Sequence, residues 1–118
     1  MHELSIAEAL LKTLKDYVGE HGGQVTKLSL TLGRLCGADS ESLMFAWPLA
    51  LAANGSAALA NCALEIESPP LTFSCRSCGK SCEAVKPIFV CPACGDESLI
   101  RSGGRELMIR SIEVETDV

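Results

Sequence analysis

The sequence predicts an α+β fold, in which two helices lie on a small mixed three-stranded sheet and a cysteine-rich β domain is inserted into it. The hydrophobic residues follow helix, strand, helix and strand spacing in turn up to residue 67. Ser68-Pro69-Pro70 and Ser102-Gly103-Gly104 then bracket a segment with five cysteines and few large apolar residues. A final strand can return to the first sheet. We therefore expect a discontinuous α/β domain at residues 1–69 and 105–118, and a second domain at 70–104.

The first helix and the first strand have clear sequence signals. Ser5-Ile6-Ala7-Glu8 fits a capping box with Ser5 as the N-cap, and Gly22-Gly23 stops the helix. A strand is predicted at 25–32, where leucines at alternate positions share one face. The apolar residues that recur at helical spacing are Leu4, Ala7, Leu11, Leu14 and Val18.

The second helix and the second strand follow a turn. Asp39 or Ser40 can cap the helix, Asn54-Gly55 ends it, and Pro48 should kink or restart it. Residues 62–67 then alternate between apolar and polar types, which predicts a strand. The shared apolar face of the helix consists of Leu43, Trp47, Ala50 and Leu51.

The last predicted strand, at residues 106–115, has an ambiguous pattern. Leu107 and Ile109 lie on one face by simple alternation, while Ile112 and Val114 lie on the other. A bulge near Arg110, or burial of both faces, would reconcile the two halves.

Composition and charge exclude several classes of protein. The chain has 118 residues, a formal charge of -5, 47% hydrophobic and 4% aromatic residues. This apolar content excludes general disorder, and the acidic balance argues against binding nucleic acid through its phosphates. No signal peptide is visible, and the longest apolar stretch, around residues 49–53, is far too short to span a bilayer. We expect a cytoplasmic protein that does not bind a membrane.

Two near-identical cysteine motifs carry the strongest chemical signal. Cys75-Arg-Ser-Cys78-Gly and Cys91-Pro-Ala-Cys94-Gly each place two sulfurs on one side of a tight turn. The following glycine permits a positive φ. Four thiolates in a tetrahedron suit zinc and leave no position for water, which indicates a structural Zn(II) site in a zinc-ribbon-like domain.

Other interpretations of the cysteines remain open at this point. Two disulfides conflict with the expected reducing compartment, and iron in a rubredoxin-like site uses the same ligands. Cys82 is interpreted as a thiol outside the metal site. Cys36 and Cys62 are interpreted as small apolar packing residues.

The extreme N-terminus offers a second set of metal ligands. The amine of Met1, the amide and Nδ1 of His2, and the amide or carboxylate of Glu3 suit square-planar Ni(II) or Cu(II). On these residues alone the case for nickel is weak, and a solvated terminus is the simpler interpretation. His21 lies at the end of the first helix, where the imidazole favours the helix dipole rather than a metal.

Short motifs along the whole chain resemble one family. They are, in order, Met1-His2-Glu3-Leu4-Ser5-Ile6, Leu32-Gly33-Arg34-Leu35, Ser42-Leu43, Phe45, Ala63-Leu64-Glu65-Ile66, the two cysteine motifs, Gly104, Glu106-Leu107 and Ile112-Glu113-Val114. Together they resemble the HypA/HybF family of hydrogenase nickel-insertion accessory proteins. The departures are mild: Trp47 stands where the family usually has Phe, and Pro48 is unexpected.

The resemblance implies a function and partners. It implies Ni(II) bound transiently at Met1, His2 and Glu3, and a zinc domain built on Cys75, Cys78, Cys91 and Cys94. It also implies nickel delivery to the large-subunit precursor of a [NiFe]-hydrogenase, with a nickel-handling GTPase as partner. Some relatives serve urease, so urease maturation factors are further candidates. A monomer and a homodimer remain open.

Two other classes of function fit less of the sequence. A zinc-ribbon module that binds protein or nucleic acid without transferring nickel is the alternative, although residues 71–104 carry neither a basic stripe nor a stacking platform. An enzyme is not supported, because His2 and His21 are the only histidines and no nucleophile motif or phosphate loop occurs. The sequence therefore predicts a nickel metallochaperone that is not an enzyme.

Overall fold

The computed structural model describes residues 3–54 and 56–116. This part of the chain contains two α-helices, a short 3-10 helix and six strands. In chain order they are α1 (Glu3–His21), β1 (Gln24–Leu32), α2 (Ser40–Asn54), a 3-10 helix (Ala57–Leu59), β2 (Ala63–Glu67), β3 (Leu71–Cys75), β4 (Ser81–Ala84), β5 (Leu99–Ser102) and β6 (Leu107–Glu115).

The strands form two separate three-stranded sheets. The first has the order β2-β1-β6, in which β1 is parallel to β2 and antiparallel to β6. The second has the order β4-β3-β5 and is antiparallel throughout. The predicted fold class is confirmed, including the return of the last strand to the first sheet. The molecule is elongated, with extents of 57 × 29 × 17 Å.

The hydrophobic core lies where the two helices cover the first sheet. Trp47 is buried in it, and its Nε1–H donates a 2.9 Å hydrogen bond to the carbonyl oxygen of Cys62. The indole therefore fills core volume while its only polar group has a partner. The other buried members include Ile6, Ala7, Leu11, Leu14, Val25, Leu28, Leu30, Leu43, Ala50, Leu59, Cys62 and Leu64.

The predicted start of α1 is wrong. The helix is already formed at Glu3, so Ser5 lies within it rather than at its N-cap, and Leu4 is exposed instead of buried. Glu3 and Leu4 tolerate a helix well, and an acidic residue in the first turn favours the positive end of the helix dipole. The predicted stop is confirmed, because Gly22 and Gly23 adopt positive φ.

Pro48 was predicted to kink or restart α2, and the restart is wrong. The helix runs from Ser40 to Asn54 with Pro48 inside it. Pro48 is exposed, so the carbonyl oxygen of Met44, which loses its N–H partner, lies on a face that water can reach. Asp39 is the N-cap, since its Oδ2 accepts a 2.9 Å hydrogen bond from the backbone N–H of Ser42.

The predicted bulge at Arg110 is confirmed. Leu28 pairs with Ile112 and Leu30 with Ile109, which leaves Arg110 as the extra residue of β6. The bulge returns both halves of the strand to the same face, as the ambiguous apolar pattern requires.

Gly33 marks a close approach between the end of β1 and the start of β6. Its N–H donates to the carbonyl oxygen of Glu106, and the N–H of Leu35 donates to that of Gly104, both at 2.6 Å. A Cβ on Gly33 would lie 2.5 Å from the oxygen of Gly104. Only glycine fits at this position, which explains why a glycine ends β1.

Arg34 forms hydrogen bonds with the segment between β2 and β3, which connects the first sheet to the second. Its Nε donates to the carbonyl oxygen of Pro69 at 3.1 Å and its Nη2 to that of Ser68 at 2.9 Å. These carbonyls have no strand partner, because the prolines interrupt the ladder. The segment 33–35 therefore contacts both polypeptide connections to the second sheet.

Candidate metal centre

The two cysteine motifs fold into turns of the same conformation at one end of the second sheet. In the first, Cys75 N–H donates to the carbonyl oxygen of Lys80 at 2.9 Å. In the second, Cys91 N–H donates to that of Asp96 at 2.8 Å. Gly79 and Gly95 have φ of 73° and 78°, as predicted for the glycine after each motif. We call these two turns, at 75–80 and 91–96, the knuckles.

The knuckles bring four sulfur atoms together. The sulfurs of Cys75, Cys78, Cys91 and Cys94 all lie within 4.8 Å of one another. Cys75 Sγ lies 3.6 Å from Cys94 Sγ, and Cys78 Sγ lies 3.7 Å from Cys91 Sγ. A tetrahedral zinc ion with Zn–S bonds of about 2.3 Å requires sulfur separations of about 3.8 Å, so these two separations are consistent with zinc. A disulfide needs about 2.05 Å.

Backbone hydrogen bonds, desolvation and contacts between the sulfurs give the thiols of this cluster different pKa values. The N–H groups of Cys94 and Ala93 donate to the sulfur of Cys91 and lower the pKa of this thiol to about 7. The N–H of Asp96 lowers the pKa of Cys94, but desolvation and the hydrogen bond with Cys75 outweigh this effect and raise it to about 12. Four adjacent sulfurs cannot all ionise unless a cation lies between them, so the cluster is suited to hold one.

The other cysteines lie outside the cluster. Cys82 is on β4 opposite Phe73 and is half-buried. Cys62 is buried in the core of the first sheet, where desolvation raises the pKa of its thiol. Cys36 lies in the turn after β1, with its sulfur 3.8 Å from the carbonyl oxygen of Ala38. None of the three joins a group of metal-ligating side chains among the described residues.

The predicted nickel ligands fall largely outside the described residues. Met1 and His2 lie before residue 3, and Glu3 is the first residue of α1. His21 is exposed at the other end of α1, where its ring stacks on Tyr17 with a centroid distance of 4.3 Å and its Nδ1 lies 3.1 Å from the carbonyl oxygen of Tyr17. The structure thus gives His21 a local role at the helix end.

Fold and site together define a class of protein: an α+β metal-handling protein with a zinc-ribbon-like four-cysteine centre. Residues 1–114 match the model of the family described as "Hydrogenase/urease nickel incorporation, metallochaperone, hypA". The chain belongs to this HypA family, which consists of metallochaperones and not of enzymes.

Curated relatives and solved structures agree with this assignment. The chain is 35% identical to the hydrogenase maturation factor HypA of Syntrophus aciditrophicus, over 99% of this chain and 100% of the relative. It is 38% identical to that of Synechococcus elongatus, over 97% of this chain and 99% of the relative. The solution structure of the Ni metallochaperone HypA from Helicobacter pylori shares the fold, with a TM-score of 0.65 at 18% identity over 99% of this chain and 100% of that one.

No helix within residues 3–54 and 56–116 has both the length and the apolar character needed to cross a membrane.

Sequence reasoning missed one feature of the site, the hydrogen bonds that Asp96 makes from one knuckle to the other. Its only signal was that Lys80 and Asp96 occupy the same position after the two otherwise similar motifs.

Proposed function

We propose that this protein is a nickel metallochaperone that binds Ni(II) at Met1, His2 and Glu3 and helps to insert it into the large-subunit precursor of a [NiFe]-hydrogenase. The observation that carries this proposal is the match of residues 1–114, nearly the whole chain, to a family of nickel-incorporation proteins. The cargo is Ni(II), and the proposed recipient is the precursor of the enzyme that uses it.

The position of Glu3 in the first turn of α1 supports nickel binding there. The first four N–H groups of a helix have no carbonyl partner within it, so the Glu3 amide is not committed to an intrahelical hydrogen bond. Nickel binding through amide nitrogens requires these groups to lose their protons. The positive end of the helix dipole favours the resulting negative charge, and acid opposes it.

We further propose that Cys75, Cys78, Cys91 and Cys94 hold a structural Zn(II). The sulfur separations of 3.6 and 3.7 Å support this metal. Four cysteine ligands leave no position for substrate, so the site stabilises the second sheet and takes no part in nickel transfer chemistry.

The proposal also covers the domain boundaries and the cellular compartment. We assign residues 1–69 and 105–118 to the nickel-binding domain and 70–104 to the zinc domain. The radius of gyration of 18.3 Å supports two bodies, since one compact domain of this length has about 13 Å. Four thiolates bound to zinc suit the reducing cytoplasm.

The proposed partners are a nickel-handling GTPase and the large-subunit precursor, with urease maturation factors as further candidates. An exposed apolar face on α2, formed by Met44, Phe45 and Leu49, supports protein contacts of this kind. The acidic charge of -5 supports protein rather than nucleic acid as the partner. Both a monomer and a homodimer are compatible with this function.

Nickel transfer is the direct test of this function. The zinc-loaded protein is charged with radioactive nickel and incubated with the large-subunit precursor and the GTPase, and nickel on the precursor is counted. We expect transfer by the wild type and by His21→Ala, and loss of transfer by His2→Ala. His21→Ala is the matched control, because it removes the only other histidine. Equal transfer by His2→Ala would move the nickel site away from His2, and no transfer by the wild type would favour the alternative, an interaction module that carries no nickel itself.

A further inference from the structure

We propose that Asp96 is a positioning residue that ties the two knuckles together and thereby slows release of the metal ion. Asp96 is not a ligand; it follows the second knuckle's Gly95 and lies beside the sulfur cluster. The inference rests on the proposed zinc site at the four cysteines and concerns what keeps that site closed.

The backbone of Asp96 is bound to both cysteines of its own knuckle. Its carbonyl oxygen accepts a 2.8 Å hydrogen bond from Cys91 N–H. Its own N–H donates to the sulfur of Cys94. Lys80 does the same in the first knuckle, where it accepts from Cys75 N–H at 2.9 Å and its N–H bonds to Cys78. The backbone of Lys80 therefore stabilises the first knuckle, and the backbone of Asp96 stabilises the second.

The side chain of Asp96 has no equivalent in the first knuckle. Its Oδ2 accepts a 2.6 Å hydrogen bond from the hydroxyl of Ser77, which lies between Cys75 and Cys78 in the opposite knuckle. Within the described residues, this is the only hydrogen bond that joins side chains of the two knuckles, apart from the contacts between sulfurs. A hydrogen bond to a carboxylate is roughly twice as strong as a neutral one.

A second path from Asp96 reaches the first knuckle through Ser98. The Oδ1 of Asp96 accepts hydrogen bonds from the N–H of Ser98 at 3.0 Å and from its hydroxyl at 2.9 Å. The carbonyl oxygen of Ser98 in turn accepts from the N–H of Arg76 at 3.0 Å. Both oxygens of the carboxylate are therefore used, and both lead across to the residues between Cys75 and Cys78.

This arrangement matters because a metal held by two knuckles can leave only when they separate. Cys78 and Cys94 are exposed, so a chelator can approach the site from their side. Loss of an outer-shell partner costs roughly 10–100-fold in metal affinity in sites of known behaviour. The Asp96 carboxylate contacts no ligand sulfur directly, so we expect the lower end of this range.

The charge of Asp96 predicts the opposite effect, which makes the proposal testable. Four thiolates and one Zn(II) carry a net charge of about −2. A neighbouring carboxylate repels this charge, so its removal would tighten the site if electrostatics alone acted. The hydrogen bonds predict that Asp96→Asn loosens it. Glu97→Gln removes the same charge one residue away and serves as the matched control.

The experiment measures zinc release from the full chain into an excess of a chromophoric chelator. We expect about tenfold faster release from Asp96→Asn and from Ser77→Ala, no further acceleration in the double variant, and Glu97→Gln within twofold of the wild type. Cobalt-loaded Asp96→Asn should keep the absorption of a tetrahedral four-thiolate site. Ser77→Ala decides the question if Asp96→Asn does not fold.

Release from Asp96→Asn and Ser77→Ala at the wild-type rate or slower would overturn the proposal. Equal acceleration by Glu97→Gln would also overturn it, because the effect would then not depend on the hydrogen bonds of Asp96. Wild-type protein that binds no zinc at all would be a different outcome. That outcome removes the four-cysteine zinc site itself, and it is visible before any variant is compared.

Discussion

Replacement of Gly33 by alanine adds one methyl group where the end of β1 meets residues 104–106. The new Cβ would lie 2.5 Å from the carbonyl oxygen of Gly104 and 2.6 Å from the nitrogen of Glu106. These are backbone atoms, so no side chain can rotate away. Ordinary non-bonded contacts of carbon are about 3.5 Å or longer, so the two backbone segments must move apart by about 1 Å.

The cost of this movement has two parts. Forcing an extra methyl group into a packed site costs about 1–3 kcal/mol. The shift also weakens the two backbone hydrogen bonds at 2.6 Å, from Gly33 to Glu106 and from Leu35 to Gly104. Each contributes about 1 kcal/mol net, so we expect the free energy of unfolding to fall by about 2–5 kcal/mol.

Urea unfolding of the zinc-loaded protein measures this loss through the fluorescence of Trp47, the only tryptophan. Gly19→Ala is the matched control, because a Cβ there meets nothing within 4 Å and Gly19 lies within α1. Alanine should stabilise that helix by about 0.5–1 kcal/mol. If Gly33→Ala were as stable as the wild type, the close approach at Gly33 would not be what this fold requires.

Three further outcomes follow from the first sheet and its helices. Trp47→Phe should lower the free energy of unfolding by about 1–3 kcal/mol, because the carbonyl oxygen of Cys62 loses its buried donor; chemical denaturation measures it, and an unchanged midpoint would contradict it. Pro48→Ala should raise the melting temperature by restoring an N–H to α2, and a fall would show that the proline is needed there. Lys27 lowers the pKa of Glu65 through a hydrogen bond and its charge. A carboxyl pKa that is lower in the folded state adds stability above its ordinary value of 4.5, which is lost as the pH falls through the folded value. Lys27→Gln should therefore be less stable than the wild type at pH 7 but not at strongly acidic pH, and a constant difference across this range would refute the linkage.

Sequence periodicity predicted the elements that bury a regular apolar face. The strand at β1 and the apolar face of α2 were confirmed, since each face must meet the same core. The exchange of apolar faces in β6 left two interpretations, a bulge near Arg110 or burial of both faces, and the register shift beside Arg110 shows the bulge.

Sequence signals failed where water or a distant segment decides the outcome. The capping box at Ser5 was wrong because exposed N–H groups of a first turn can bond to water, so the helix begins by Glu3 without that cap. Pro48 did not interrupt α2, because its exposed ring leaves the unpaired carbonyl within reach of solvent. The contacts of Gly33 and Arg34 join segments far apart in the chain, which no local pattern encodes.

The candidate site was likewise predicted from the sequence only in part. Cysteine spacing predicted the four sulfurs, because two short turns with a glycine can present them only in a few arrangements. Spacing did not predict that Asp96 reaches Ser77, since that depends on how the two knuckles face each other. The nickel ligands at Met1 and His2 lie outside the described residues and remain a prediction.

Titration of the zinc-loaded protein with Ni(II), followed by calorimetry and visible absorption, tests the central claim most directly. The protein carries its native N-terminus, beside His2→Ala, His21→Ala and a form extended by one residue before Met1. We predict one nickel ion with a square-planar spectrum in the wild type and His21→Ala, and loss of this binding in the other two. Nickel binding that persists unchanged in His2→Ala and in the extended form would contradict a site at Met1, His2 and Glu3.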